Sequence, residues 1–203
     1  MHTCSACGFL SLLQKINPEK STLICPECGF EDAAVFLPLF VITGGAGCGK
    51  STVAQGLTGR LPCLVFEPAY FLRARETFET WDVYWSYMIL FSRTLMQNGR
   101  PVVLPGWVNP SMCEASPHID YFSSVHYLVL SCDERTQEGR LRGRCQKFKQ
   151  EPPTDQSIAR ALAGTRILKD EANQRENATI LGTTDLAPNE VLVQAESWIT
   201  SRL

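Results

Sequence analysis

Leu39-Phe40-Val41-Ile42-Thr43-Gly44-Gly45-Ala46-Gly47-Cys48-Gly49-Lys50-Ser51 runs from an apolar stretch into a glycine-rich turn that closes on Gly-Lys-Ser. It satisfies Gly-x-x-x-x-Gly-Lys-Ser with the flanks that motif needs, a buried-type strand before it and a helix-like segment after it. Phosphate oxygens require many donors at close range. A loop meets that need by turning its backbone N–H groups inward, which glycine permits without Cβ clashes. A helix opening at Lys50 or Ser51 adds its positive end. The motif therefore assigns nucleotide phosphates to Gly44, Gly45, Ala46, Gly47, Cys48, Gly49, Lys50, Ser51 and Thr52. Lys50 would reach the β- and γ-phosphates, and the Ser51 hydroxyl would ligate Mg²⁺. The same helix end should favour a thiolate at Cys48 when no nucleotide is bound.

Outward from this loop the chain alternates strand and helix patterns. A helix is expected from Ser51 to Arg60, a strand over Leu61–Phe66, and a helix over Thr77–Gln97 that stops at Asn98-Gly99. Strands follow at Val102–Leu104, His126–Leu130 and Ala178–Leu181. Ser131-x-x-Glu134 reads as a capping box opening a basic helix to about Lys149. Further helices span about Asp155–Gln174 and Pro188–Arg202. Strands alternating with helices predict an α/β fold, a five-stranded parallel sheet covered by helices on both faces. Phosphate sites in such sheets lie at the carboxyl ends of the strands.

The 203 residues suit one medium domain plus a small appendage, and 44% hydrophobic content supports a real core. A net charge of −2 argues against a general nucleic-acid surface. No apolar run approaches the roughly 20 residues that span a bilayer, and the N-terminus lacks the pattern of a secretory signal. A cytoplasmic location without membrane contact is expected. Nine cysteines are many for such a location. Four of them explain much of the excess: Cys4-Ser-Ala-Cys7-Gly8 and Cys25-Pro-Glu-Cys28-Gly29 carry the spacing of a four-thiolate zinc site. Residues 1–36 would form this module, with Asn17-Pro18-Glu19-Lys20 turning a short hairpin and the metal providing folding energy. In spacing and in both Cys-x-x-Cys-Gly knuckles it resembles the zinc-ribbon family. Four thiolates leave no open position, so the zinc is structural. Lys15 and Lys20 stand against Glu19, Glu27, Glu31 and Asp32. That balance favours a protein partner, or packing on the rest of the chain, over nucleic acid.

Two more features carry chemistry. Glu67 follows the second strand of the sheet, beside the loop, where a carboxylate could take a proton from a hydroxyl or help hold Mg²⁺. Between Arg135 and Lys149 six basic residues oppose the single Glu138. Arg140 and Arg144 share a helix face, and guanidinium forks stabilise the charge of a transferring phosphoryl group. Asp133 and Glu134 read as helix-start acids and not as a motor-type Walker B element.

Gly44–Ser51, Phe66-Glu67-Pro68, Gly99–Leu104, Tyr127–Asp133 and Arg140-Leu-Arg142-x-Arg144 together resemble small P-loop nucleoside and nucleotide kinases, over about residues 38–203. The resemblance implies a kinase-like domain over 37–203, with a LID around 135–153 that closes over ATP. It also implies Thr183-Thr184-Asp185-Leu186 near the adenine, and Glu67 as the base, as in the Glu-Pro of deoxynucleoside kinases. Lys50, Glu67, Arg140 and Arg144 would then be the catalytic set, with Arg140 also on the nucleotide. Loops after the second and third strands would hold the acceptor, with Glu67, Tyr70, Arg73 and Trp107 touching it and Arg75, Trp81, Trp85 and Asn109 as further candidates. The expected activity is Mg-ATP-dependent phosphotransfer to a small molecule, a nucleoside or nucleotide. The alternatives are the same chemistry on an antibiotic hydroxyl or a polynucleotide end, and an ATP-binding regulatory module that docks partners through the ribbon.

Overall fold

The computed structural model describes residues 2–147 and 151–203, apart from the side chains of His2, Tyr70, Leu72, Arg73, Ala74, Arg75, Gln146 and Lys147. The front module consists of short antiparallel pairings. β1 (His2–Thr3) pairs with β2 (Leu10–Ser11), and β3 (Lys15–Asn17), β4 (Thr22–Ile24) and β5 (Glu31–Ala33) form a three-stranded sheet. The expected hairpin is β3–β4. A third strand, β5, extends it, and the sequence pattern did not predict that strand. The two knuckles are near copies of each other. Gly8 N–H bonds Cys4 O at 2.9 Å and Gly29 N–H bonds Cys25 O at 3.0 Å, each glycine with φ close to +75°.

The larger part begins at β6 (Leu39–Gly44), which every residue buries. Its alternate side chains go to opposite faces: Phe40 and Ile42 to one core cluster, Leu39 and Val41 to another. A strand hydrophobic on both faces belongs in the middle of a covered parallel sheet. β6 lies there, in the order β10 (Ala178–Gly182), β9 (Val125–Ser131), β6, β8 (Val102–Pro105), β7 (Leu64–Val65), with every pairing parallel. One face is covered by α1 (Lys50–Leu57) and α6 (Pro188–Thr200), through Val53, Leu57, Val191, Ala195 and Ile199. The other is covered by α2 (Trp81–Met96), α3 (Pro110–Glu114) and α5 (Asp155–Asn173). The five-stranded architecture expected from the sequence is the one observed. Two details differ. The second strand shrinks to Leu64–Val65, and a 3₁₀ segment, Pro68–Thr77, precedes α2.

α4 (Glu134–Lys147) opens without the expected capping box. Asp133 Oδ1 accepts from Thr136 N–H at 2.7 Å, and Oδ2 accepts from its hydroxyl at 2.9 Å, while Ser131 ends β9. A carboxylate one residue before the helix satisfies the free donors better than a hydroxyl three residues back. Among the described residues no helix is long and apolar enough to cross a membrane.

Candidate active site

The turn between β6 and α1 is held from in front and from behind. In front, Lys50 Nζ donates to Gly44 O at 2.8 Å and Gly45 O at 3.0 Å. Gly49, the residue before α1, has φ 103°, a conformation that glycine adopts without penalty. Behind, Gln137 on α4 donates through Nε2 to Ala46 O at 2.8 Å and meets Thr165 Oγ1 of α5 at 2.9 Å. A Cβ at Gly45 would land on that same Thr165 hydroxyl. Neither Gln137 nor Thr165 could be picked from sequence, since only tertiary folding brings them to the loop. Cys48 is fully buried, with its Sγ 3.8 Å from Cys132 Sγ.

A cleft of about 710 Å³ opens over the loop at the carboxyl ends of β6, β7 and β8. Ala46, Gly47, Gly49, Lys50, Ser51 and Thr52 line one end, with Gln55 beside them. Gly44 and Gly45 stay beneath it, their carbonyls held by Lys50. Across the opening α4 presents Arg140 and Arg144, whereas Arg142 turns outward to Glu138 at 2.8 Å and Asp155 at 3.0 Å. The Arg140 fork also grips Thr183, donating to Oγ1 at 3.0 Å and to the carbonyl at 2.6 Å. A smaller cavity of about 170 Å³ continues from Gly47 and Thr52 past Arg140 and Thr183 to Leu186, Pro188 and Val191. It lies where the resemblance places an adenine.

Glu67, just beyond β7, lines the cleft. Burial lifts its carboxyl above the ordinary value, opposed by the Ala69 N–H and the Lys50 charge. Burial lowers the Lys50 ammonium, with Cys48 and Glu67 opposing that shift and Arg144 adding to it. Both side chains line the cleft, and each feels the other's charge.

The far end is aromatic. Trp81, Tyr84, Trp85 and Trp107 line it, with Trp81 and Trp107 edge to face at 6.3 Å. Tyr84, which the sequence reading left out, fixes its hydroxyl on Pro68 O at 2.9 Å. Trp85 is 3% exposed and Trp81 38%, so helix neighbours that looked alike divide between core and rim. Gly106 leaves room for Trp85, since a Cβ there would overlap its ring. Asn109 lies elsewhere, donating to Glu171 at 2.8 Å at the start of α3. The side chains of Tyr70, Arg73 and Arg75 lie outside the described residues.

The donor sets fit the groups the sequence implies. The exposed Ser51 hydroxyl and the Glu67 carboxylate are hard oxygen donors suited to Mg²⁺. In the ribbon, the sulfurs of Cys4, Cys7, Cys25 and Cys28 lie within 4.8 Å of one another, with Cys4–Cys28 at 3.7 Å and Cys7–Cys25 at 3.8 Å. Four thiolates tetrahedral about zinc at about 2.3 Å have edges of about 3.8 Å, so this cluster could hold zinc. The N–H groups of Glu27 and Cys28 point at Cys25 Sγ, as a thiolate requires.

No protein-family model matches this chain, and no curated protein sequence does. Solved structures do match. An unliganded sugar kinase from Janibacter sp. HTCC2649 has TM-score 0.59 and 17% identity, over 82% of this chain and 95% of that one. A gluconokinase from Sinorhizobium meliloti 1021 has TM-score 0.58 and 15% identity, over 82% and 93%. The tunicamycin resistance protein of Deinococcus radiodurans has TM-score 0.57 and 22% identity, over 80% and 95%. Behind its cysteine-rich front module, this chain has the fold of small P-loop kinases.

Proposed function

We propose that the protein is a Mg-ATP-dependent phosphotransferase acting on a small molecule, a nucleoside or nucleotide. One observation carries the reading: Lys50 and Ser51 of the loop, the Glu67 carboxylate, and Arg140 and Arg144 all face a single cleft. In this reading the loop and Lys50 hold the phosphates, with Thr183 and Leu186 toward the adenine. Mg²⁺ on Ser51 would neutralise phosphate charge. Glu67 orients the acceptor hydroxyl and takes its proton, helped by a carboxyl that burial has made more basic. Arg140 and Arg144 stabilise charge as the phosphoryl group moves. The segment 135–153 acts as a LID whose closure excludes water, although residues 148–150 lie outside the described part.

The aromatic end supports a planar acceptor, since Trp81 and Trp107 offer faces and edges for stacking on a base. The structural neighbours are named for sugars, gluconate and an antibiotic, which makes an antibiotic hydroxyl the second reading. The test is ATP turnover with Mg²⁺ across nucleosides, nucleotides, sugars and hydroxylated antibiotics, with Lys50→Ala as the blank. Stimulation by one acceptor, with a phosphorylated product by mass, is the expected result. ATP binding with no stimulation by any member would overturn the small-molecule kinase.

A further inference from the structure

The ribbon is bound to one particular helix of the larger domain. Arg93 of α2, 3% exposed, donates through Nη1 to Leu12 O at 2.7 Å, and its guanidinium carbon lies 3.3 Å from the Tyr121 ring centre. Tyr121 in turn bonds Gln14 twice: its hydroxyl accepts from Gln14 N–H at 2.6 Å and donates to Gln14 O at 2.7 Å. One turn further, Gln97 just past α2 pairs with both polar groups of Val35, at 3.1 and 2.9 Å. Leu37 N–H reaches Met96 Sδ at 3.1 Å. Backbone groups of the front part are thus paired with α2 and its cap, through Arg93, Met96 and Gln97, and the buried ones of Gln14 with Tyr121 beneath Arg93, so separating the modules would leave them unpaired.

The other end of α2 carries Trp81, Tyr84 and Trp85, the aromatic wall of the cleft. A helix of 16 residues is about 24 Å long and transmits a displacement along its axis. We propose that the ribbon sets the position of the cleft's aromatic wall through α2, with Arg93 as the positioning residue, so that metal loading of Cys4, Cys7, Cys25 and Cys28 governs the acceptor end and spares the phosphate end. That this wall receives the acceptor rests on the function proposed above; the mechanical link does not.

The experiment is amide hydrogen exchange on the full-length, zinc-loaded chain, read over residues 81–88 and 39–57, with MgATP affinity measured alongside. Arg93→Met should speed exchange over 81–88 by about tenfold. Exchange over 39–57 and the affinity for MgATP should stay within about twofold, and the zinc should stay bound. Chelating the zinc from the wild type should reproduce that pattern. Tyr121→Phe, which keeps the ring under Arg93 and removes only the hydroxyl, should give a smaller change of the same kind, and it decides the matter if Arg93→Met does not fold. Unchanged exchange over 81–88 in the variants and after chelation, or equal loosening of both regions, would overturn the proposal. If 81–88 responds as described but no acceptor is ever phosphorylated, the kinase reading falls and the link stands. Once an acceptor is identified, Arg93→Met should raise its KM and leave that of ATP alone.

Discussion

At one end the cleft is floored by the glycine-rich loop, and at the other it is walled by rings. The first is a turn of small residues whose shape is fixed by Lys50 in front and by Gln137 and Thr165 behind. The second is assembled from α2 and the loop after β8, with Trp81 and Trp107 meeting edge to face. Backbone donors read charge and little else, so such an end accepts one kind of partner through a fixed geometry. Aromatic walls read shape and surface, and they change meaning with each substitution. Glu67 stands where the two meet.

Removing Glu67's proton chemistry should have the largest effect. Glu67→Gln is expected to lower kcat by about 10³-fold with modest changes in either KM. The sign of the pH dependence follows from the raised carboxyl. The acid limb of the wild-type kcat/KM profile should lie above pH 4.5, and it should vanish in the variant. Because the folded chain holds that proton more tightly than the unfolded one, wild-type stability relative to Glu67→Gln should fall as pH rises above 4.5 through the folded value. Equal profiles for the two proteins would show that another group takes the proton.

Next in size is a change confined to the main-chain end. Gly45→Ala drives a methyl into the Thr165 hydroxyl, and the loop must move. A misplacement of about 1 Å in a positioning element costs about 100-fold in rate, so kcat/KM for MgATP should fall by that order. Acceptor binding should persist. The smallest effect belongs to the ring end: Trp107→Ala should raise acceptor KM by about tenfold and leave the KM of ATP within error. If it raised both alike, the two ends would not be separable.

The same contrast explains what could be read from the chain in advance. Gly44 to Ser51 specify a backbone path, and a path of that kind needs only local sequence. The strand alternation of Leu39–Ile42 and the positions of Arg140 and Arg144 on one side of α4 are likewise local. Gln137 lies 91 positions from the carbonyl it holds, and nothing near either residue announces the bond. Trp81 and Trp85 are spaced as core residues are, and one of them is core; their period could not say which. The start of α4 went to Asp133 because two short acceptors compete there and the nearer one reaches the free N–H groups. The full burial of Cys48 beside Cys132 is another long-range outcome that the loop's own sequence does not carry.

The described residues that form the far wall, from Glu67 through Trp81, Tyr84 and Trp85 to Gly106 and Trp107, all fall in one uninterrupted length of chain, 67–107. The loop residues and the α4 arginines that line the other end lie before and after it. The stretch starts beyond the edge strand β7 and takes in α2 and the inner strand β8, so one continuous piece of chain builds the wall and part of the core together. Under the function proposed above, a transplant of 67–107 between two chains of this fold should shift acceptor preference and leave the loop 44–52 to the recipient.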